Sequence, residues 1–349
     1  MRSSYAEEDV VLLLKDITGL VQPQPTEERE KLIQSGRHYS EMLPIEYVPT
    51  DKYMKVYKEA LHRYAKPVAD AIGILSEKIM ADRGENVVLV SLARAGIPTG
   101  ILIKRYIRFR FHHNIPHYSI SIIRGRGIDD NAMKYLLGKY EPQQLLFVDG
   151  WIGKGAILNE LKKDIRSYAQ VSSEIAVIAD PANVTELCGT HDDILIPSSC
   201  LNSTVSGLIS RTFLREDIIG EKDFHGAVYY GELRESDLSY EYIESIEKEF
   251  SLSPRKTGGR TEGYGMDEVK KIADTFGIDD INYVKPGIGE TTRVLLRRVP
   301  WKILIDERYQ DDQELGHIVR LAQEKQVPIA YYPLVHYKCC GIIQRMSDV

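Results

Sequence analysis

The sequence predicts an α/β fold in two parts, a parallel-sheet domain followed by a smaller α/β domain. Three observations support this prediction. Short apolar runs alternate with helical patterns, glycine-rich turns follow several of the runs, and a second alternation begins after a segment rich in glycine. Strands that alternate with helices form parallel sheets, whose ligands bind at the carboxyl ends of the strands. The functional residues are therefore expected in the loops that follow the strands.

The composition is that of an ordinary globular protein, with 349 residues of which 43% are hydrophobic and 28% charged. No apolar run approaches the ~20 residues that span a bilayer, so we expect no membrane association. The first residues are acidic and lack the apolar core of a secretion signal, which makes the cytoplasm the expected location. The four cysteines have neither the spacing of a disulfide framework nor that of a zinc site, and we expect reduced thiols.

Four segments are predicted along the chain. Residues 1–34 are expected to be an N-terminal extension. The first 50 or so residues are expected to be irregular and peripheral, because Pro23, Pro25, Pro44 and Pro49 interrupt any long element there. Residues 35–250 form the parallel-sheet domain, residues 251–265 are a linker by composition, and residues 266–349 form the second domain.

The apolar spacing predicts the elements in order. The first is a long helix over 53–81, bent at Pro67, whose apolar residues recur at helical spacing: Val68, Ile72, Leu75 and Ile79. Strands are then predicted over 87–92, 118–123, 145–148 and 174–178, and helices over 97–106, 131–137 and up to residue 168. In the second domain the order is helix 267–276, strand 301–305, helix 315–324 and strand 329–332.

The most informative motif is the apolar run 145–148, which ends in Asp149 and passes through a glycine-rich turn into a helical pattern. Such a turn aims backbone N–H groups and a helix dipole at a phosphate, and the acid can bind sugar hydroxyls or a metal. The segment Gly153-Lys154-Gly155 lacks the serine or threonine of a Walker A loop, and no dinucleotide fingerprint is present. The motif predicts a site for a phosphorylated sugar, with an ordinary strand-to-helix turn as the alternative.

Two further loops carry arginines among small residues. Residues 91–100 follow the first strand and contain Arg94, whose guanidinium suits a pyrophosphate. Residues 124–129 follow the second strand, and Arg124 and Arg126 lie there between glycines, as in a flexible lid that closes on an anion. The alternative for each loop is an exposed turn with solvated arginines.

The three loops together resemble those of a known family. They are Ser-Leu-Ala-Arg-Ala-Gly at 91–96, Ser-Ile-Ile-Arg-Gly-Arg-Gly-Ile-Asp at 121–129 and Val-Asp-Gly-Trp-Ile-Gly-Lys-Gly at 148–155. In this order they are similar to the pyrophosphate loop, hood loop and phosphoribosyl pyrophosphate motif of type I phosphoribosyltransferases. The chain resembles in particular the orotate-phosphoribosyltransferase-like family encoded in bacterial tellurite-resistance and stress gene clusters.

The resemblance implies an activity and its partners. A phosphoribosyl group would pass from phosphoribosyl pyrophosphate, with Mg²⁺ carried by the pyrophosphate, to an unidentified base, giving a nucleoside-like metabolite in a stress response. Dimers are common among the resembled enzymes, so a homodimer is one suggested oligomeric state. By the same resemblance, Asp149 would hold the ribose, Arg94 would clamp the pyrophosphate, and Arg124 and Arg126 would close over it. The sugar phosphate would be bound by Ala95, Gly96, Gly150, Gly153, Lys154 and Gly155.

Two positions depart from the family pattern. Gly150 stands where a second acid is usual, and Ile152 stands where a threonine is usual. The first change weakens the expected contact with the ribose hydroxyls, and the second removes a hydroxyl donor to the phosphate. The motif therefore supports binding of phosphoribosyl pyrophosphate more strongly than it supports catalysis.

Members of the same family are sometimes labelled cysteine proteases, which makes a thiol hydrolase the first alternative. Cys200 precedes a helical pattern whose N-terminus would stabilise a thiolate, and His191 or His225 would serve as the base. No papain-like or caspase-like signature surrounds Cys200, and an inert buried thiol is the other interpretation. The residues expected to border the acceptor site, beside Cys200, are Asp180, Asn202 and Ser203.

The second domain contains a glycine-rich start of a helix with a glutamate, threonines and arginines, which suits RNA phosphates and base edges. The segment resembles the RNA-contacting segment of Pelota and of kink-turn-binding ribosomal proteins. The resemblance implies RNA contacts from Lys285, Gly287, Gly289, Glu290, Thr291 and Arg293. The alternative is a structural appendage, because 15 Lys and Arg against 14 Asp and Glu from Arg255 onward leave the domain nearly neutral. A non-catalytic RNA-binding or nucleotide-sensing protein is the second alternative for the whole chain.

Overall fold

The computed structural model describes residues 1–344. The strands, in chain order, are β1 (Val11–Leu12), β2 (Lys15–Asp16), β3 (Val88–Leu92), β4 (His117–Ile120), β5 (Ile122–Ile123), β6 (Gly127–Ile128), β7 (Leu145–Val148), β8 (Ile175–Ala179), β9 (Cys188–Thr190), β10 (Gly226–Ala227), β11 (Val284–Pro286), β12 (Pro300–Ile305), β13 (Ile329–Tyr331) and β14 (Cys339–Ile343). The α-helices are α1 (Thr26–Gln34), α2 (Asp51–Arg83), α3 (Gly96–Phe111), α4 (Asp130–Leu137), α5 (Ala156–Ile165), α6 (Ser239–Glu247), α7 (Gly265–Thr275), α8 (Ile288–Arg297) and α9 (Gly316–Glu324).

Six strands form the central sheet in the order β1-β4-β3-β7-β8-β9, and every neighbouring pair is parallel. Helices cover both faces. Leu146 and Val148 of β7 point into the core on the side of α2 and α3, whereas Leu145 and Phe147 point to the side of α4 and α5. Strands buried on both faces read as continuous apolar runs, which is why the sequence located them. The predicted α/β class with a parallel sheet is confirmed.

The long helix α2 packs its predicted stripe inward: Val68, Ile72, Leu75 and Ile79 are all fully buried. Pro67 lies inside the helix, which continues through it. The helix begins at Asp51, two residues before the predicted start, and it ends at Arg83. Gly84 follows with a φ of +65°, a conformation that glycine adopts without strain.

The expectation that the first 50 or so residues are irregular was wrong for three short elements. β1 is the outer strand of the central sheet, where Val11 pairs with Tyr118, and β2 pairs in parallel with β10. α1 follows within the same segment. Strands of two residues are too short to show a periodic pattern, so no sequence signal predicted them.

Two other local predictions also need correction. The predicted strand 118–123 is divided, because its last residues turn away as β5 and form an antiparallel hairpin with β6. The helix expected after Cys200 is replaced by two 3-10 turns, over residues 197–200 and 203–205.

The second domain has a four-stranded sheet in the order β11-β14-β12-β13, in which β14 runs antiparallel to both neighbours and β12 pairs in parallel with β13. Residues 251–264 contain neither a helix nor a strand, and the predicted domain boundaries stay predictions. Among residues 1–344, no helix has both the length and the apolar character needed to cross a bilayer.

Candidate functional site

A narrow cleft lies between the carboxyl edge of the central sheet and the N-terminal end of α8. The first domain lines it with Trp151, Gly153, Ala179, Pro181, Asp193, Ile194, Ile196 and Ser199, and the second domain with Pro286, Gly287, Gly289 and Glu290. Residues of the predicted sugar-phosphate turn and of the predicted RNA-binding segment therefore meet in one place. Neither motif predicted this meeting.

The glycine turn after β7 is held against β8. The amide of Ile152 donates to the carbonyl of Ala179 at 3.0 Å, and Gly155, at φ +88°, begins α5. The carboxylate of Asp149 accepts a hydrogen bond from the amide of Gly150 at 2.8 Å. Burial raises the pKa of Asp149 to about 6, although the Gly150 amide and Arg293 act in the opposite direction. The turn has the predicted shape, with a desolvated acid at its start.

The second domain covers this turn. The ammonium group of Lys154 donates to the carbonyls of Ile281 at 2.6 Å and of Val284 at 3.1 Å. The hydroxyl of Tyr337 donates to the carbonyl of Gly153 at 2.7 Å. Burial, together with the nearby charge of Lys285, lowers the pKa of Lys154 to about 8. The predicted phosphate ligand Lys154 thus binds the second domain in this structure.

The predicted pyrophosphate clamp, Arg94, is bound to protein groups. Its guanidinium donates to the carbonyl of Ile209 at 2.7 Å and pairs with the buried carboxylate of Glu46 at 2.9 Å. Glu46 also accepts the amide of Ser203 at 2.8 Å. A Cβ on Gly96 would lie 2.3 Å from a backbone carbonyl oxygen of β7. The loop therefore lies so close to the strand that only glycine fits at this position.

The predicted lid arginines also have protein partners. Arg124 donates to the side chain of Asn282 at 3.3 Å. Arg126 donates to the carbonyl of Leu214 at 3.2 Å and forms an ion pair with Glu41. In this arrangement each of the three arginines, Arg94, Arg124 and Arg126, donates to a protein group.

The predicted RNA-binding segment faces the first domain. Gly289 and Thr291 are buried, and Lys285 and Glu290 are partly buried. Arg293 forms an ion pair with Glu290 at 3.0 Å and lies over the ring of Trp151, 5.4 Å from its centroid. Arg293 therefore contacts the first domain through Trp151, while Gly287, Gly289 and Glu290 line the cleft opposite that domain.

Cys200 lies in the main hydrophobic core with no exposed surface, and burial raises the pKa of its thiol to about 12. The bases proposed for it are engaged elsewhere: His225 pairs with Ser121 at 2.9 Å, and His191 contacts another cysteine. Asn202 caps the turn that follows, since its Oδ1 accepts the amide two residues on at 3.2 Å. These contacts describe a structural environment around Cys200.

A different cysteine, absent from our predictions, has a histidine beside it. Sγ of Cys188, in β9, lies 3.4 Å from Nε2 of His191. Nδ1 of His191 lies 2.9 Å from the backbone carbonyl of Asp180 and 4.0 Å from its carboxylate. Burial raises the pKa of Cys188 to about 11. The only sequence signal was the Cys-x-x-His spacing, which no surrounding motif supported.

Asp180, predicted at the acceptor site, is fully buried at the end of β8. Its Oδ2 accepts the amides of Val184 at 2.7 Å and Thr185 at 2.8 Å, and burial raises the pKa of the carboxyl group. Its Oδ1 has no hydrogen-bond partner in the described chain. Within residues 1–344, no three His, Cys, Asp or Glu side chains are grouped so that they could hold a metal.

Comparison with known proteins addresses the family. Residues 3–247 match the model described as "Tellurite-like stress resistance cysteine protease StiP", and residues 263–345 match that of the "PELOTA RNA binding domain". The "Cysteine protease StiP" of Acinetobacter baylyi is 33% identical over 366 residues, which cover 99% of this chain and 94% of that protein.

Solved structures give a weaker likeness. Two structures of a hypoxanthine-guanine phosphoribosyltransferase from Bacillus anthracis are 14% and 13% identical, with TM-scores of 0.24 and 0.22. Each match covers 41% of this chain and 75% of the other. TM-scores this low do not establish a structural relationship, so the predicted transferase type is not confirmed. The predicted stress-related family and the Pelota domain are confirmed: the chain belongs to the StiP family.

Proposed function

We propose that this protein is a thiol-dependent hydrolase of peptide bonds with an RNA-binding C-terminal domain. The observation that carries the hydrolase proposal is the contact between the Cys188 thiol and Nε2 of His191. The names of the Acinetobacter relative and of the family, both cysteine proteases, support the same class of reaction. The Pelota match over residues 263–345 supports RNA as a partner.

The hydrogen bonding of His191 suits a general base. Nδ1 lies at hydrogen-bond distance from the Asp180 carbonyl, which can only accept, so Nδ1 carries the proton. In the neutral ring Nε2 is then the unprotonated nitrogen, and it faces the Cys188 thiol. A base held in one tautomer by a third group is the arrangement that activates nucleophiles in hydrolases.

The reaction follows from this arrangement. Nε2 of His191 accepts the thiol proton while Sγ of Cys188 bonds to the carbonyl carbon of a peptide. The C–N bond breaks, and the leaving amine takes the proton from His191. Water, deprotonated by the same nitrogen, attacks the thioester, and the thiolate leaves and regains its proton. No cofactor is required for this sequence.

Substrate access requires movement of the chain near residue 260. Cys188 has no exposed surface, and the segment after residue 256 is hydrogen-bonded to the last residue of β9. There, Thr190 Oγ1 donates to the carbonyl of Thr257 at 3.1 Å, and Asn183 donates to the carbonyl of Thr261 at 2.7 Å. The proposed active form has this segment displaced.

The test compares two cysteines in matched variants. Hydrolysis of an unfolded fluorescent protein substrate is measured for the wild type, Cys188→Ala, Cys200→Ala and His191→Gln. We expect the Cys188 and His191 variants to lose hydrolysis and the Cys200 variant to keep it. Loss in Cys200→Ala with activity kept in Cys188→Ala would assign the reaction to Cys200 instead.

A second candidate function, supported by Asp149, is binding of a sugar phosphate. Its carboxylate lies at the end of a central strand, is desolvated and forms no ion pair within residues 1–344. Such a group suits ribose hydroxyls, with the turn amides on the phosphate. Calorimetric titration of phosphoribosyl pyrophosphate with Mg²⁺ tests this. Binding lost in Asp149→Asn but kept in Glu235→Gln, a change of an exposed acid, would support the site; no binding to the wild type excludes it.

A further inference from the structure

A carboxylate of the first domain binds the N-terminus of α8 in the second. The amide of Ile288, the first residue of α8, donates to Oδ1 of Asp193 at 2.9 Å and to Oδ2 at 3.2 Å. The amide of Lys338 donates to Oδ2 at 2.9 Å. Gly287, at φ +87°, leads into the helix, and a Cβ there would lie 2.9 Å from Oδ1 of Asp193. The contact is therefore close and specific.

The position that Asp193 occupies is an anion site. The first amides of a helix have no partner within the helix, and the helix dipole favours negative charge beside them. α8 has ten residues, enough for this effect. The helix is also the one whose first turn we expect to contact RNA phosphates. Asp193 thus satisfies a donor that a phosphate oxygen would otherwise accept.

A second observation indicates a ligand in the same cleft. Ser199 is 2% exposed, and its hydroxyl has no hydrogen-bond partner in the described chain. It faces the first turn of α8, since a Cβ on Gly289 would lie 3.6 Å from Ser199 Oγ. A buried hydroxyl without a partner is unfavourable unless a ligand or water bonds to it. Lys285, partly buried on β11, adds a positive charge nearby.

We propose that this cleft is a phosphate site for RNA, in which the carboxylate of Asp193 stands where a phosphate oxygen binds. The proposal rests on the RNA-binding function proposed above. RNA and Asp193 exclude each other, because both are negative and both need the amide of Ile288. RNA binds after α8 leaves Asp193, so the closed arrangement of the domains lowers the apparent affinity for RNA.

The same movement uncovers the glycine turn. Three further hydrogen bonds join the same two domains as the Asp193 contact. Lys154 donates two of them, to Ile281 and Val284, and Tyr337 donates the third to Gly153. Separation of α8 from Asp193 breaks them together. RNA binding is therefore coupled to exposure of Lys154, and any ligand of the turn must in return favour RNA binding.

The experiment measures affinity for a fluorescein-labelled stem–loop RNA by anisotropy. The proteins are the full-length wild type, Asp193→Ala, Tyr337→Phe and the control Glu235→Gln, which removes one exposed charge at a residue that does not line the cleft. Asp193→Ala leaves two amides without partners in the closed form and should raise RNA affinity about tenfold. Tyr337→Phe removes one closing hydrogen bond without touching Asp193 and should raise it about threefold. The control should equal the wild type.

The second measurement is acetylation of Lys154, followed by mass spectrometry. RNA should increase acetylation of Lys154 in the wild type, and Asp193→Ala should show the increase without RNA. Equal or lower RNA affinity in both closing variants, with unchanged acetylation, overturns the competition while leaving RNA binding intact. Absence of RNA binding in every variant overturns both proposals. Should Asp193→Ala fail to fold, Tyr337→Phe and the acetylation of the wild type decide the matter alone.

Discussion

Lys154 of the glycine turn and Val284 of the second domain are joined by a hydrogen bond of 3.1 Å from the ammonium group to the carbonyl oxygen. With the Ile281 carbonyl at 2.6 Å, this places a lysine that we expected to bind phosphate at the centre of an intramolecular contact. The contact joins the two parts of the chain at the point where both are expected to act.

Replacement of this lysine gives the first prediction. Near pH 10, Lys154→Met should lower the free energy of unfolding by about 1–3 kcal/mol, because the carbonyls of Ile281 and Val284 lose their hydrogen-bond donor. The pKa of Lys154 is lowered to about 8, so between that pH and its ordinary value of 10.5 the unfolded chain holds a proton that the folded chain has lost. The Lys154 contribution to stability therefore rises with pH in this range.

Urea unfolding at a pH just below 8 and at one near 10 tests the sign. The wild type should gain stability across this range relative to Lys154→Met. An identical pH response in the two proteins would show that Lys154 is solvated as in the unfolded chain.

The second prediction concerns Arg94 and Glu46. In Arg94→Met the carboxylate of Glu46 is left buried without its cation, and stability should fall by about 3–5 kcal/mol. The double variant Arg94→Met with Glu46→Gln should recover much of this loss, because no unpaired charge remains. Denaturant unfolding of the four proteins of this cycle gives the coupling energy. Additive effects would contradict a direct pair and leave Arg94 available to a ligand.

The third prediction concerns the reactivity of thiols. All four cysteines are buried, and burial raises the pKa of Cys188 and Cys200, so iodoacetamide should label the native protein slowly at neutral pH. Asn183→Gly should increase labelling of Cys188 several-fold, since it removes the hydrogen bonds from Asn183 to Thr261 and Gly263. Glycine retains the positive φ of +58° at this position.

Peptide mass spectrometry identifies the labelled cysteine. Cys200 serves as the internal control, because its core environment does not involve the segment near residue 260. A parallel increase at Cys188 and Cys200 would indicate general unfolding rather than release of that segment.

The fourth prediction is a pH dependence of RNA binding. Burial raises the pKa of Asp193 to about 6 in the closed arrangement, whereas a released carboxyl group returns to its ordinary value of 3.8. Below pH 6 the closed form takes up a proton that the open form does not, so acid favours closure. RNA affinity of the wild type should fall by up to about tenfold between pH 7 and pH 5, relative to Asp193→Ala.

The charged and titratable groups around Asp193 define the control for this measurement. They are Lys338 and Glu314, with Tyr64, Tyr337 and Cys339 at longer range. Glu314 forms an ion pair with Lys338, so Glu314→Gln alters the field without removing the proposed competitor. This variant should retain the acid dependence, whereas a flat profile in it would assign the effect to Glu314.

The features that could be predicted from the sequence are those that depend on local patterns. The stripe on α2 follows from helical spacing, and the buried strands follow from apolar runs. The shape of the turn after β7 follows from its glycines and from Asp149. Each of these signals lies within a few residues, where sterics and burial act directly on the pattern.

The contacts between distant segments had no such signal. Asp193 and Ile288 are 95 residues apart, and neither lies in a motif that refers to the other. The Cys188 and His191 pair depends on where β9 ends and on the position of the Asp180 carbonyl. The packing of whole helices and strands brings these residues together, so one amino-acid sequence alone does not predict the contacts.

The position of β1 has a practical consequence for anyone who shortens the chain. Two residues, Val11 and Leu12, complete the central sheet by pairing with β4. A fragment that starts at residue 35 would leave the backbone amides and carbonyls along one edge of β4 without their partners in β1. Such a bare edge recruits strands from other molecules, so this fragment should aggregate where the full chain does not.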